Sequence, residues 1–254
     1  MALAFPFDPV QRSQEVEGLV MSGRKRRYYK FRAAPYYGGI ATADAVGCSF
    51  LCAYCWNYGR NENPSSCGRL YSPEEVAWNL ISLARRHSYY LFRLTGSEPI
   101  LGEASLEHVL AVVGYVSQEI PQSRFILETN GLMLGFRTEL IARLGLRNLM
   151  IRISLKGTDP ESFEKISGAK REFFSFPLRA LKELESQGFE VWPALMEDFF
   201  TEHDIDALRE ILRPLEIRAE LERERLESYP AVLTHLDLRG IRLDDGRPLD
   251  KRRG

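Results

Sequence analysis

The chain has 254 residues, a formal net charge of −1, 44% hydrophobic and 27% charged residues. That length suits one large α/β domain with a substantial core, and the near-neutral balance leaves bulk charge naming no partner. No apolar run approaches the ~20 residues that span a bilayer, and the N-terminus lacks the basic segment, long apolar core and small-residue cleavage site of a secretory signal, so a cytoplasmic protein is expected.

In chain order, residues 1–38 read as an N-terminal extension packing on the main domain. They carry a basic run, Arg24 to Arg27 with Lys30 and Arg32, interleaved with Tyr28, Tyr29 and Phe31. Such a run suits either a solvated surface or phosphate contact with base stacking. Residues 39–46 read as a short strand leading into Gly47-Cys48-Ser49-Phe50-Leu51-Cys52-Ala53-Tyr54-Cys55-Trp56. Ser72-Pro73-Glu74-Glu75 predicts a helix start with a serine cap, proline in the first turn and a glutamate closing a capping box. Val76, Leu80, Leu83 and Ala84 continue it as one apolar face.

Residues 89–94 read as a strand ending at Thr95-Gly96-Ser97-Glu98-Pro99, followed by a helix lined by Leu106, Val109, Leu110, Val113 and Val116. Residues 124–127 read as a strand ending at Glu128-Thr129-Asn130-Gly131, and residues 138–144 as a helix stopped by Gly145. Residues 149–155 alternate like a strand and run into Lys156-Gly157, after which Asp159-Pro160 caps a short helix. The rest predicts a helix at 176–187, a strand at 190–195, a helix at 204–212, a sixth strand at 217–221 and a closing helix at 230–238.

Strand and helix thus alternate about six times, which predicts an α/β fold with a parallel sheet and right-handed crossovers. Eight units would close a TIM-type barrel, and six leave a partial (β/α)6 barrel. We assign the barrel to residues 39–221 and a C-terminal extension to 222–254, where the charge run 222–230 reads as a solvated face. The four polar clusters, 48–55, 95–99, 128–131 and 154–157, each follow the C-terminal end of a strand. In parallel α/β folds that edge carries the active site.

Three of the four cysteines, Cys48, Cys52 and Cys55, share one short loop. In a reducing compartment such clustering points to a metal or catalytic site rather than to disulfides. A structural zinc ion wants four ligands, usually as two separated pairs, and Cys67 is the only spare thiol. Three thiolates fit better as ligands of a [4Fe–4S] cluster with one iron left open to a small molecule.

The spacing of Cys48, Cys52 and Cys55, with Tyr54 before the last, resembles the CxxxCxxC signature of the radical S-adenosylmethionine superfamily. Thr95 to Pro99 resembles that family's GGEP motif, with Ser97 in place of a glycine. Glu128 to Gly131, Ser154 to Gly157 and Ser167-Gly168 are similar to segments of the activating enzymes of glycyl radical enzymes, including the pyruvate formate-lyase activating enzyme. The likeness runs from about Gly39 to Met196.

The resemblance implies that the three cysteines hold a [4Fe–4S] cluster whose fourth iron chelates the amino and carboxylate groups of S-adenosylmethionine. An electron, from a donor such as ferredoxin or flavodoxin, would cleave the sulfonium bond to give methionine and a 5′-deoxyadenosyl radical. Glu98 and the carbonyls of Thr95 and Gly96 would receive the ligand's amino end. Thr129 and Asn130 sit where a ribose or carboxylate would lie, or else form an Asx turn.

Ser154 and Lys156 should face the barrel interior, and a lysine there needs an anion, either the methionyl carboxylate or Glu128. Tyr54 and Trp56 would stack on adenine, with shielding of the cluster the alternative for Trp56. Met196 would pack under the adenine or fill the core. Cys67 would donate hydrogen, bind a second cluster or lie inert. The histidines receive no role.

The chain departs from the activating enzymes after the fifth strand, where Met196-Glu197-Asp198-Phe199-Phe200 lacks a glycine-containing turn, and it has no cysteine-rich insertion for auxiliary clusters. Three classes follow. The first is a protein- or peptide-modifying enzyme, as the activating enzymes imply. The second modifies RNA or a small metabolite, suggested by the basic aromatic run. The third is a non-enzymatic zinc or iron–sulfur module.

Overall fold

Alternation along each strand decides the architecture. In the computed structural model, which describes residues 4–145, 148–241 and 243, one face of every main strand is apolar and meets helices, while the other carries the polar residues of a barrel interior. The chain opens with helix α1 (Pro9–Val20), a short β1 (Met21–Ser22) and the long β2 (Lys25–Ala34). Strand β3 (Ile40–Ala45) leads to the cysteine loop, helix α2 (Tyr58–Glu62) and strand β4 (Arg69–Tyr71). Then follow α3 (Pro73–His87), β5 (Leu91–Thr95), α4 (Glu103–Glu119), β6 (Arg124–Thr129), α5 (Leu132–Phe136) and β7 (Leu149–Leu155). The remainder is α6 (Pro160–Ser167), α7 (Ser175–Ser186), β8 (Glu190–Met196), α8 (Glu202–Leu212), β9 (Glu222–Glu224) and α9 (Pro230–Leu238).

Six strands pair in parallel in the order β3-β5-β6-β7-β8-β9, so the fold is an open, partial barrel, as the alternation predicted. Their outward residues, among them Phe92, Leu94, Phe125, Leu127, Ile151 and Ile153, are fully buried. Leu80 of α3, Val109 and Val113 of α4 and Leu181 and Leu184 of α7 join the same core. Each such side chain contributes about 1.5–3 kcal/mol relative to exposure. The caps follow the sequence too. Ser72 Oγ accepts from Glu75 N at 3.3 Å while Glu75 Oε2 accepts from Ser72 N at 2.6 Å. Asp159 caps α6, and Gly168 ends it at φ 77°.

Three features differ from expectation. The basic run is β2, paired antiparallel with β3 and β4, so part of the N-terminal extension belongs to the sheet. Arg26 and Tyr28 are buried, and Arg32 pairs with the buried Asp44 at 2.7 Å. Part of the run is thus consumed by the fold, while Arg24, Lys25 and Lys30 stay exposed. The sixth parallel strand is β9, inside the charge run, and not residues 217–221. Its glutamates turn inward to Arg152, at 3.0 Å from Glu222 and 2.8 Å from Glu224, so a charged sequence forms a barrel strand. Residues 138–143 wind as a 3-10 helix ending at Leu144, before the expected Gly145 stop. Of the C-terminal extension, residues 242 and 244–254 lie outside the described residues.

Candidate active site

The cysteine loop leaves β3 through Gly47, whose φ of 91° disfavours any side chain and whose added Cβ would lie 2.6 Å from Val16. Beyond it, Leu51 N donates to Ser167 O at 3.0 Å and Ala53 N to Ile166 O at 2.9 Å, docking the loop on the end of α6. Arg239, just after α9, donates to Leu51 O and to Ile166 O at 3.2 Å, fastening the same joint. The loop closes on itself with Cys55 N donating to Cys52 O at 2.9 Å.

The sulfurs meet donors rather than carboxylates. Phe50 N lies 3.4 Å from Cys48 Sγ, Asn130 Nδ2 3.8 Å from the same sulfur, and Asn61 Nδ2 3.6 Å from Cys55 Sγ. Burial raises all three thiols, Cys55 to about 12. Ligation by iron would hold them as thiolates, since a coordinating thiol is deprotonated. Among the described residues no three His, Cys, Asp or Glu converge as the ligands of one metal ion. A [4Fe–4S] cluster takes each thiolate on a different iron. Cys67 packs elsewhere, against Val16, Val20, Val46 and Leu101.

Two asparagines that the sequence reading passed over tie the loop to the end of β5. Asn57 Nδ2 donates to Gly96 O at 2.6 Å and to Ser97 Oγ at 3.0 Å. Ser97 Oγ in turn donates to Asn61 Oδ1 at 2.6 Å. Their signal was their place just after the last cysteine, but α2 is too short to show periodicity. Glu98 is 2% exposed, and its carboxylate accepts from Thr129 Oγ1 at 2.6 Å, Asn130 N at 2.7 Å and Ile100 N at 3.0 Å. Thr129, Asn130 and Glu98 are thus bonded to one another, and Asn130 Oδ1 accepts from Leu132 N at 2.9 Å in an Asx turn.

Lys156 follows β7 and faces Tyr54, its Nζ 5.5 Å from the ring centroid. Burial lowers its pKa, but the neighbouring Tyr54, Cys52 and Glu224 and a hydrogen bond to Tyr54 outweigh burial and hold it raised. Glu128, one of its two expected partners, is taken instead by Arg93 at 2.9 Å and by Thr95 Oγ1 at 2.5 Å. Tyr54 also stacks on Phe199 at 5.1 Å. Trp56 is 47% exposed and meets Tyr29 edge-on at 6.3 Å. Ser154 Oγ accepts from Arg152 at 3.0 Å, and half-buried Met196 ends β8 against the core.

Below this mouth the interior carries a belt of paired charges: Arg32 with Asp44, Arg93 with Glu128, and Arg152 with Glu222 and Glu224. Underneath, Ile40, Ile126 and Met150 form an apolar plug with Leu91 and Trp192. The belt was not foreseen, because alternating charges in a strand look like a solvated face. Tyr37 OH donates to Glu222 Oε1 at 3.4 Å and Tyr36 OH to Glu227 Oε1 at 3.3 Å, linking the N-terminal segment to the C-terminal one.

Comparison with known proteins gives this arrangement its family. The chain is similar to the GTP 3′,8-cyclase of Nostoc sp. (strain PCC 7120), with 32% identity over 123 residues, covering 48% of this chain and 35% of that protein. It is similar to the probable GTP 3′,8-cyclase of Methanosarcina mazei, 25% identical over 182 residues, 69% of this chain and 51% of that one. The chain therefore spans about a third to a half of the length of these relatives. They carry the cyclase name, so the narrower likeness to glycyl radical activating enzymes is not borne out by them.

In fold it is similar to a spore photoproduct lyase with bound AdoMet, with a TM-score of 0.60, 14% identity and coverage of 85% of this chain and 65% of that one. SuiB of Streptococcus suis bound to S-adenosylmethionine gives a TM-score of 0.57 and 12% identity, covering 73% and 40%. With the Radical SAM superfamily's sequence model matching residues 44–214, from the end of β3 past α8, the chain belongs to that superfamily of enzymes, which use a [4Fe–4S] cluster and S-adenosylmethionine.

Proposed function

We propose that this enzyme abstracts a hydrogen atom from a small polar molecule held inside the open barrel. The observation that carries the reading is the belt of charged pairs around Arg93, Glu128, Arg152 and Glu222, which offers an incoming molecule donors and acceptors already fixed in place. An apolar substrate would have to cover these groups without replacing their hydrogen bonds. The relatives' cyclase name, a nucleotide chemistry, points the same way.

Cys48, Cys52 and Cys55 would hold the cluster, and S-adenosylmethionine bound with it supplies a 5′-deoxyadenosyl radical after one-electron reduction. The chain's own residues then bind, orient and exclude water. Lys156 is the cation available for the methionyl carboxylate, since among the described residues no carboxylate lies within 4 Å of it. Tyr54, Ser154 and Met196 would form the adjoining wall. Glu98, Thr129 and Asn130, bonded to one another, would shape that wall with Thr95, Gly96 and Ser97, which bond to Glu128, Asn57 and Asn61, and Trp56 would flank it from the outside.

A one-electron donor is required, and ferredoxin or flavodoxin fits that role. Four free cysteines suit a reducing, cytoplasmic setting. Among the described residues no helix is long and apolar enough to cross a membrane.

A second reading, modification of a protein or peptide, rests on the likeness of Glu128 to Gly131 and Ser154 to Gly157 to the activating enzymes. The RNA reading keeps only part of its basic run, because Arg26, Tyr28 and Arg32 serve the sheet while Arg24, Lys25 and Lys30 stay exposed. Anaerobically reconstituted enzyme, reduced with S-adenosylmethionine present, is to be incubated with either the small-molecule filtrate or the protein fraction of deuterium-grown cells. Deuterium in 5′-deoxyadenosine from the filtrate alone is expected. Transfer from the protein fraction alone would replace the first reading by the second.

A further inference from the structure

Two arginines lie behind the cysteine loop with no carboxylate bonded to either among the described residues. Arg26 is 0% exposed, and its Nη2 donates to Glu98 O at 2.6 Å and Val46 O at 3.4 Å. Its Nε and Nη1 have no hydrogen-bond partner among the described residues. Arg12 is 9% exposed, its Nη2 donates to Asn61 O at 2.6 Å, and its Nε is likewise orphaned. The backbone groups they hold adjoin the ligands. Val46 lies two residues before Cys48, Glu98 N donates to Gly47 O at 3.1 Å, and the side chain of Asn61 reaches Cys55 Sγ.

A buried guanidinium without a counterion costs several kcal/mol. Neutral carbonyls satisfy part of its hydrogen bonding but none of its charge. Nearby carboxylates are engaged elsewhere. Glu17 Oε1 accepts from Ser105 N at 2.8 Å, and Glu98 is filled by Thr129, Asn130 and Ile100. Burial lowers both arginine pKa values; opposing it are Cys48 first, then Tyr58, Glu15 and Glu62 for Arg12, and Tyr28, Glu98 and Glu17 ahead of Cys48 for Arg26.

We propose that Arg12 and Arg26 are buried countercharges for the iron–sulfur cluster, set behind its ligands to favour the reduced state. The argument uses the family's cluster and does not depend on the proposed substrate. Reduction adds one electron, delivered by an external reductant, and so one negative charge to the group that the three cysteines hold. A fixed cation in a low-dielectric surround favours that gain far more than water would. Both residues act through charge and loop position without touching the substrate, so they are positioning residues.

The test is an EPR-monitored titration with dithionite and mediators on anaerobically reconstituted wild type, Arg26→Gln, Arg12→Gln and Arg12→Lys, without substrate. For each Gln variant the ratio of reduced to oxidised cluster at a fixed potential should fall about tenfold, a shift of about 59 mV to lower potential for a one-electron couple. Arg12→Lys, which keeps the charge, should stay near wild type. If Arg26→Gln does not load iron, Arg12→Gln, whose residue borders solvent, decides alone. Wild-type potential in an iron-loaded Arg12→Gln, or an equal fall in Arg12→Lys, would overturn the proposal. A wild type that takes up no iron would instead contradict the cluster itself.

Discussion

The backbone amide of Asn130 donates to Glu98 Oε2 at 2.7 Å, joining the end of β6 to the end of β5 through a carboxylate that is almost wholly buried. Burial pushes that carboxyl up from 4.5 to about 6, against the hydrogen bonds from Asn130, Thr129 and Ile100 that favour its ionised form. A carboxyl whose folded pKa is raised contributes stability that is full below about 4.5 and lost as pH rises through about 6. The swing is about 2 kcal/mol. Relative to wild type, Glu98→Gln should therefore gain about 2 kcal/mol of unfolding free energy between pH 4.5 and pH 7. Urea denaturation of reduced, cluster-free protein at both pH values measures it. A constant difference would mean that Glu98 titrates as an ordinary carboxyl.

The cysteines separate into two environments, and substitution should respect the division. Cys48→Ala, Cys52→Ala and Cys55→Ala should each lose the cluster, since each removes the thiolate of one iron. Cys67→Ala should retain it, because Cys67 packs against the apolar cluster of Val16, Val20, Val46 and Leu101. Iron analysis and the EPR signal of the reduced protein read both outcomes, and loss of iron in Cys67→Ala would show that a fourth ligand had been miscounted.

Where apolar alternation carried the information, the fold was legible. Strands such as 149–155 and caps such as Ser72 and Asp159 are fixed by local chemistry that a sequence displays. The cysteine triplet and the four strand-end clusters were legible for the same reason, because strand order alone brings them to one edge. What stayed hidden was polar structure satisfied only in three dimensions. Arg24 to Arg32 looked like a solvated basic run because its partners, Asp44 and the carbonyls of Val46 and Glu98, lie on other segments. Glu222 and Glu224 looked like surface charge because Arg152 is 70 residues from Glu222 in the chain. Asn57 and Asn61 were missed because a five-residue helix has no face to read.

The belt makes its own prediction. Arg152 is 3% exposed and donates to Glu222 from Nε at 3.0 Å and from Nη2 at 3.2 Å, with Glu224 Oε1 2.8 Å from Nη2. Removing the cation leaves Glu222 to Trp192 and Tyr37 and Glu224 to solvent, both carboxylates being about a third exposed, so with solvent screening Arg152→Met should destabilise the protein by about 1–3 kcal/mol. Arg152→Met combined with Glu222→Gln should recover part of that loss, since one of the stranded charges is gone. Denaturation midpoints of the single and double variants test this, and a double variant no more stable than the single would show that the Glu222 pairing carries no energy.

Lys156 gives the sharpest test of how the site receives S-adenosylmethionine. Its Nζ lies over the Tyr54 ring at 5.5 Å, and among the described residues no carboxylate pairs with it, so its charge remains for an incoming anion. A hydrogen bond to a charged group contributes about 1.5–3 kcal/mol, so Lys156→Ala should weaken S-adenosylmethionine binding by roughly 10- to 100-fold. Iron content should stay at the wild-type level, because Lys156 ligates nothing. Calorimetric titration of anaerobic, cluster-loaded protein separates the two effects. Lys156→Arg should bind more tightly than Lys156→Ala, since it restores the charge with a different shape. Unchanged affinity in Lys156→Ala would confine the lysine to its contact with Tyr54.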